Sequence, residues 1–331
     1  MDKEQLFKAF VVSEIDGKPN RTVAAKKINE LPENDIIINV KYSSLNYKDA
    51  LSANCHKGVT RHYPHTPGID SVGVVVESKS DKYKVGDEVI CMGYDLGMNT
   101  PGGYGEYISV PEGWVMPLPK TFSMRDAMII GTAGFTAAIG VNEIISAGIT
   151  PDDGQVLVTG ATGGVGIFAV AMLSKLGFDV TASSGKKEKY EMLERAGAKT
   201  IIGREEVNDT SERGLLKSKW IAAFDTVGGN TLSTVLKSIK YGGVVTNCGN
   251  VASIKLDVTI FPFILRSVRL IGIAAAETPM DKRINIWKKL ENELRLPDLE
   301  YLVKEVNLEN LNNEIELMLA GKQFGRVLVK L

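Results

Sequence analysis

The chain lacks most features of a secreted, membrane-bound or nucleic-acid-binding protein. Its 331 residues include only three cysteines without paired spacing, which fits a reducing compartment and excludes a disulfide framework. A net charge of −1 provides no basic surface for nucleic acid or anionic lipid. Gly, Lys or Ser interrupts every apolar run, and residues 1–5 lack the layout of a signal peptide. We therefore predict a cytoplasmic protein with no membrane or nucleic-acid partner.

Metal-binding and hydrolase motifs are also missing. All three histidines, His56, His62 and His65, lie in one stretch beside Cys55, but their spacing matches no common zinc site. The stretch also carries lysine and arginine, as a polar loop at the edge of a cleft would. Neither G-x-S-x-G nor H-E-x-x-H occurs. The sequence therefore predicts no metal site.

A glycine-rich segment between a strand and a helix is the strongest motif present. Residues 156–159 are apolar or β-branched, Gly160–Gly166 follows with the spacing G-x-x-G-G-x-G, and helix-period apolar residues continue to Leu176. Glycines allow a tight turn and a close approach to phosphates, and free N–H groups at a helix start attract negative charge. The segment therefore predicts a dinucleotide site.

Two different patterns of predicted secondary structure along the chain indicate two domains. Residues 1–124 read as short strands between turns, which favours a small β-barrel or sandwich. The candidate strands are Lys8–Ile15, Ile36–Tyr42, Gly73–Glu77, Glu88–Met92 and Tyr104–Val110. From residue 125 a βα alternation predicts an α/β domain with a doubly wound parallel sheet over 125–276.

The second domain is predicted to contain six strands and four helices. Its six candidate strands are Gln155–Thr159, Asp179–Ala182, Thr200–Ile202, Ala222–Val227, Val244–Asn247 and Leu270–Ala274. Its candidate helices are Val165–Leu176, Lys187–Ala196, Glu212–Lys219 and Thr231–Ile239. Two further helices, Lys282–Leu294 and Leu308–Leu319, precede a closing strand, Gly325–Leu331. Since six strands fill the sheet, we expect this last strand to return to the first domain, which residues 277–331 then complete.

The exit of the second α/β strand indicates which dinucleotide is bound. In NAD sites an acidic residue at this exit accepts hydrogen bonds from the ribose hydroxyls. Here Asp179 lies at the opposite end of the strand, and the exit carries Ser184, Gly185, Lys186 and a further lysine. Hydroxyl and ammonium groups favour a 2′-phosphate, which Arg204 after the third strand could also reach. The sequence favours NADP(H) over NAD(H); the alternative is a solvated helix start.

A polar cluster, Ser44–Asp49, follows a long apolar strand. Asn46, Tyr47 and Lys48 offer hydrogen bonds and a candidate proton donor. The alternative interpretation is the polar start of a loop.

These stretches, together with Pro67–Asp70, Asp225–Gly228, Pro262–Arg266 and Gly325–Arg326, occur in an order that resembles a known family. The chain is similar to zinc-free medium-chain dehydrogenases/reductases of the quinone-oxidoreductase branch. Within it, the chain resembles the YhdH/YhfP subgroup, which includes NADPH-dependent acryloyl-CoA reductases. The resemblance implies a Rossmann domain, a GroES-like β-barrel domain built from both chain ends, and a homodimer. Ile69 stands where zinc-dependent relatives carry a histidine, so the resemblance implies no zinc.

The resemblance also implies roles for individual residues. Tyr47 would lie at the nicotinamide, with Asn46 beside it as a second catalytic residue. The cofactor contacts implied are Tyr47, Thr162, Gly163, Gly164, Val165, Ser184, Gly185, Lys186, Arg204, Ile264 and Arg326. The subgroup often has arginine at the position of Lys186, and a lysine binds phosphate with less geometric selectivity.

Without a metal to bind an alkoxide, conjugate reduction is the favoured chemistry. Hydride from NADPH adds to the β-carbon of an activated alkene, and a proton from Tyr47 or water completes the α-carbon. The expected substrate is an enoyl thioester such as acryloyl-CoA, or an enone. The alternatives are NADPH:quinone oxidoreduction, a Rossmann protein that senses NADPH or binds RNA without turnover, and an alcohol dehydrogenase that has lost its zinc.

Overall fold

The structure is a computed structural model that describes residues 2–331. The strands in this range are β1 (Leu6–Ile15), β2 (Lys18–Lys27), β3 (Ile36–Ser44), β4 (Asp70–Ser78), β5 (Glu88–Met92), β6 (Tyr107–Val110), β7 (Val115–Pro117), β8 (Val156–Thr159), β9 (Val180–Ser183), β10 (Thr200–Ile202), β11 (Trp220–Asp225), β12 (Ile239–Asn247), β13 (Arg269–Gly272), β14 (Val303–Asn307) and β15 (Arg326–Lys330). The α-helices are α1 (Tyr47–Ala53), α2 (Met124–Ser146), α3 (Gly164–Lys175), α4 (Tyr190–Arg195), α5 (Gly229–Ser238), α6 (Phe261–Arg266), α7 (Met280–Glu291) and α8 (Leu311–Leu319).

The chain divides into two compact units. The first unit comprises Met1–Thr132, Ala276–Trp287 and Leu302–Leu331. Its main sheet has the order β14-β15-β3-β4-β5-β7, with β6 also paired to β3, and β1 and β2 form a separate hairpin. β15 pairs antiparallel with β3, which confirms that the last strand returns to the N-terminal β-structure.

The second unit comprises Ala133–Ala275 and Lys288–Tyr301. Its six strands are all parallel and have the order β10-β9-β8-β11-β12-β13. Every residue of β8 and β11 is buried, as expected for central strands covered on both faces. The strand order reverses between β8 and β11, the position at which open parallel sheets bind ligands. The predicted doubly wound sheet is confirmed.

The two units differ from the predicted ranges 1–124, 125–276 and 277–331 at two places. Residues 125–132 group with the first unit, where Arg326 Nε donates to the Ile129 carbonyl at 2.9 Å. Residues 288–301 group with the second unit, where Arg195 pairs with Asp298 at 2.6 Å.

The predicted helix Glu212–Lys219 is wrong, because other elements satisfy its backbone groups. The N–H of Leu216 donates to the Lys237 carbonyl at 2.9 Å, and its carbonyl accepts from Arg266 at 2.6 Å. A Cβ on Gly214 would lie 2.6 Å from the Phe261 ring. Tertiary contacts therefore hold this segment outside any helix.

α2 is longer and more apolar than the interrupted runs of the sequence suggested. By length and composition it could cross a membrane, with 23 residues and a mean hydropathy of 1.5 over its most apolar window. That window is 72% buried inside the fold, and the helix breaks at Gly131, where φ is 48°. These are the properties of a core helix.

Candidate active site

The turn after β8 leaves no space for side chains at two of its glycines. A Cβ on Gly160, where φ is +58°, would lie 2.3 Å from the Thr226 hydroxyl, and one on Gly166 would lie 2.4 Å from the Gly160 carbonyl oxygen. α3 begins directly after its N-cap, Gly163, which supplies no side-chain cap. The first N–H groups of α3 are thus left for a ligand, as in dinucleotide-binding turns.

Asp225 ties together the ends of three strands beside this turn. Its carboxylate accepts hydrogen bonds from Thr159 Oγ1 at 2.6 Å, from the Gly228 N–H at 2.8 Å and from Asn247 Nδ2 at 2.7 Å. Burial raises the pKa of Asp225, and these hydrogen bonds lower it. These hydrogen bonds connect the carboxyl ends of β8, β11 and β12 beside the glycine turn.

The exit of β9 joins the same edge. Thr162 Oγ1 lies 3.1 Å from Ser184 Oγ, which also accepts from the Lys186 N–H at 3.1 Å. A Cβ on Gly185 would meet Arg204 Cδ at 3.1 Å, so the Arg204 side chain lies against this glycine. Partial burial lowers the pKa of Lys186. The structure brings the predicted phosphate-binding residues of both loops together.

Asp179 lies at the other end of the strand, as predicted. It precedes β9 and accepts a hydrogen bond from Gln155 at 3.2 Å. The carboxyl end of β9 therefore presents hydroxyl, ammonium and guanidinium groups. Together with the glycine turn, this donor set fits a dinucleotide that carries a 2′-phosphate.

In the first unit, Tyr47 is the first residue of α1 and is 41% exposed. Asn46 is the N-cap, and its N–H donates to Asp49 Oδ2 at 2.8 Å, which closes a reciprocal cap. Asn46 Nδ2 also donates to Asp70 Oδ2 at 2.8 Å. The cluster predicted after β3 is thus a short helix start with an accessible tyrosine.

Beneath Tyr47 lies a buried polar network. Arg326, 3% exposed, donates to the Leu45 carbonyl at 3.3 Å, to Asn46 Oδ1 at 3.2 Å and to Ser44 Oγ at 2.7 Å. Its guanidinium lies 3.8 Å from the Asp70 carboxylate. A Cβ on Gly131 would lie within 3 Å of three of these groups, which explains why α2 breaks at a glycine there.

Asp49 is the second buried carboxylate of this network. Its Oδ1 accepts from the N–H groups of Gly68 at 3.1 Å and Ile69 at 2.8 Å. Burial, and secondly the charge of Asp70, raise the pKa of Asp49 to about 7, while its backbone hydrogen bonds oppose that shift. Asp49 and Asp70 were not among the predicted site residues. The Asn-x-x-Asp spacing could have indicated Asp49, whereas Asp70 contacts Arg326 only through folding.

The predicted site residues fall into three groups: the glycine turn with the exit of β9, the start of α1 with Arg326, and Ile264 on α6. Asn46 and Arg326 come together, but both are buried, and their polar atoms bond to other residues of the first unit. Ile264 lies on α6, and its side chain is 63% exposed.

The side chains do not fit a zinc site. Among residues 2–331, no three His, Cys, Asp or Glu side chains are grouped so that they could hold a metal ion. Ile69 offers no ligand atom, and His65 is buried with its pKa lowered by burial.

Comparison with known proteins agrees with both units. The family "Alcohol dehydrogenase GroES-like domain" matches residues 32–120, and "Zinc-binding dehydrogenase" matches residues 164–292. The acrylyl-CoA reductase AcuI of Ruegeria pomeroyi is 39% identical over 326 residues, covering 98% of this chain and 99% of that protein.

Two crystal structures are similar over nearly the whole chain. The yhdH oxidoreductase of Salmonella enterica, in complex with NADP, has a TM-score of 0.95 at 40% identity and covers 98% of this chain and 99% of its own. The yhfP protein of Bacillus subtilis, with NAD bound, has a TM-score of 0.95 at 41% identity and covers 99% and 100%. The chain therefore belongs to the medium-chain dehydrogenase/reductase family, in the zinc-free quinone-oxidoreductase branch that contains the YhdH and YhfP proteins.

Proposed function

We propose that this protein is an NADPH-dependent reductase of activated alkenes, with an enoyl thioester such as acryloyl-CoA as its leading substrate. The proposed cofactor rests on the exit of β9, where Ser184, Lys186 and Arg204 lie near the glycine turn. The substrate class is supported by the similarity to AcuI along the whole chain.

The chain's own residues have three tasks in this reaction. The turn at Thr162–Val165 would hold the pyrophosphate, and Ser184–Lys186 with Arg204 would hold the 2′-phosphate. Bound NADPH would supply a hydride to the β-carbon of the alkene. The negative charge that develops on the thioester oxygen needs hydrogen-bond donors, and the α-carbon needs a proton.

Tyr47 is the accessible candidate for orienting the nicotinamide and for passing the proton, with water as the alternative donor. Since Asn46 and Arg326 are buried, we assign them to the support of Tyr47 rather than to direct contact. Tyr47→Phe separates the two sources of the proton, because kcat falls if the hydroxyl donates and stays near wild type if water does.

Two rates test the proposed reaction. NADPH oxidation is followed by absorbance with acryloyl-CoA and with a simple quinone, each with and without a chelator. We expect turnover of the thioester that the chelator leaves unchanged. Rapid oxidation with the quinone and none with the thioester would support quinone reduction instead, and no turnover of either would support an NADPH sensor.

We further propose a cytoplasmic homodimer. The second unit exposes an apolar group of side chains, and its strand β13 is an edge of the six-stranded sheet. The exposed group comprises Val251, Ile254, Leu256, Ile260, Phe261, Ile264 and Leu265. A second copy that pairs through β13 would cover an edge and an apolar surface that water otherwise meets.

A further inference from the structure

Three buried ionisable groups near the start of α1, Asp49, Asp70 and Arg326, take no direct part in the proposed hydride and proton transfer. We propose that Asp49, Asp70 and Arg326 form a positioning network in which the charge of Asp49 sets the geometry of Tyr47. The relevance of this network to catalysis rests on the proposed function, because that function places Tyr47 in the active site.

Asp49 joins the start of α1 to the segment before β4. One carboxylate oxygen accepts from the Asn46 N–H at 2.8 Å, and the other accepts from the Gly68 and Ile69 N–H groups. Tyr47 directly follows Asn46 as the first helical residue. A change at this carboxylate therefore reaches Tyr47 through one peptide unit.

The far end of α1 is held independently. Arg21 Nε donates to the Ala53 carbonyl at 2.7 Å, and Tyr63 donates to the Ser52 carbonyl at 2.7 Å. With this end held, a rearrangement at Asp49 acts on the first turn of α1, which carries Tyr47, and on the segment before β4.

The network holds two buried carboxylates against one buried guanidinium. Asp49 and Asp70 are fully buried, and Arg326 is 3% exposed. The ionisable groups that act on Asp49 come from three other elements: Asp70 on β4, Arg326 on β15 and Tyr104 before β6. Because one arginine cannot neutralise two carboxylates, one of them binds a proton more readily than it would in water.

Protonation of Asp49 changes the hydrogen bonds that its carboxylate accepts. The ionised carboxylate only accepts, and it faces the N–H groups of Asn46, Gly68 and Ile69, the Asn46 side-chain amide at 3.3 Å and the Tyr104 hydroxyl. A protonated carboxyl is a weaker acceptor than a carboxylate, so the N–H hydrogen bonds to the protonated oxygen weaken. The ionised form therefore holds the Asn46–Tyr47 turn in place, and the protonated form loosens it.

Fluorine NMR of protein labelled with 3-fluorotyrosine tests this without substrate or NADPH. The Tyr47 resonance is identified by its loss in Tyr47→Phe. We expect it to titrate with a midpoint near pH 7 in the wild type and to lose that titration in Asp49→Asn. Asp153→Asn is the matched control, since Asp153 makes the same local cap to Thr150 at an exposed site.

A Tyr47 resonance that does not move between about pH 5.5 and pH 7.5 would overturn the proposal. The same result follows if the titration persists unchanged in Asp49→Asn. Because the wild type alone gives the first result, a variant that fails to fold leaves the test intact. A protein that shows the titration but reduces neither acryloyl-CoA nor a quinone contradicts the proposed function and keeps the network.

A double-mutant cycle, measured by kcat and KM, tests whether the network acts through Tyr47. We expect Arg326→Lys to lower kcat about tenfold while KM for NADPH changes less than about twofold. In a Tyr47→Ala background the same substitution should change kcat less than about twofold, because the residue being positioned is gone. Equal effects in both backgrounds would show that Arg326 acts independently of Tyr47 and would overturn this role.

Discussion

Gly160 and Gly166 are required by their surroundings rather than by helix or strand propensity. Gly166 lies inside α3, where alanine is intrinsically preferred over glycine. Its neighbour, the Gly160 carbonyl oxygen, leaves no space for a methyl group. The glycine motif could be recognised from spacing, but which of its glycines tolerate substitution follows only from these distances.

Gly166→Ala should therefore destabilise the protein by about 1–3 kcal/mol, since the new Cβ forces the turn to shift. The shift also displaces the N–H groups at the start of α3, so the Kd for NADPH should rise about tenfold or more. Urea unfolding and a fluorescence titration measure the two effects. Gly113→Ala is the control, because nothing lies within 4 Å of a Cβ there. Wild-type NADPH affinity in Gly166→Ala would contradict this account of the turn.

Lys186 is the residue that most directly distinguishes the two cofactors. Lys186→Gln removes a charged donor near the proposed 2′-phosphate, which should raise KM for NADPH about 10–100-fold. KM for NADH should stay within about twofold, since NADH lacks that phosphate. Lys187→Gln, at the exposed neighbouring position, should leave both values near wild type. An equal rise for both cofactors in Lys186→Gln would remove Lys186 from the phosphate site.

Among the elements, those with strong local patterns could be predicted and those defined by partners could not. Thr200–Ile202 and Glu88–Met92 were predicted with their observed bounds, and all six α/β strands were found. β2 was missed because KPNRTVAAKK has little apolar alternation and forms a strand only by pairing with β1. The segment 212–219 has helix-forming residues, but contacts with α5 and α6 hold it in another conformation.

The candidate site shows the same division. The glycine turn and the exit of β9 are local in sequence, and their residues meet as predicted. The network beneath Tyr47 joins β3, β4, α1 and β15, which no local spacing connects. Arg326, which the resemblance predicts at the cofactor, lies buried within this network.

α6 carries three of the exposed apolar side chains in the dimer proposal, Phe261, Ile264 and Leu265. Leu265 is 56% exposed, and a charge there should not disturb a monomer. Leu265→Glu should shift the protein from dimer to monomer in sedimentation, because burying a carboxylate in an interface is costly. Leu317→Glu, an exposed position on α8 of the first unit, is the control. A dimer that persists in Leu265→Glu would contradict this interface.

For the whole molecule, Asp49 makes stability depend on pH. Its pKa of about 7 lies above the ordinary value of 3.8, so the folded state binds the proton more tightly than the unfolded state. The free energy of unfolding therefore falls as pH rises towards and through 7. Between about pH 5.5 and 8.5 this group should cost the wild type roughly 2 kcal/mol.

Urea unfolding at both pH values measures this cost, and Asp49→Asn should lack it. An identical pH dependence in the two proteins would show that Asp49 ionises normally. Loss of stability at high pH would accompany the better-ordered Tyr47, since the ionised carboxylate is favourable for the turn and unfavourable to bury.

Isotope placement shows whether hydride is transferred to the β-carbon of an enoyl thioester. Acryloyl-CoA is reduced with NADPH deuterated at the transferable C4 position, and the propionyl-CoA formed is analysed by mass spectrometry and NMR. We expect one deuterium at the β-carbon and a solvent-derived hydrogen at the α-carbon. Deuterium at the α-carbon, or a thioester left unreduced while a quinone consumes the NADPH, would contradict this hydride transfer.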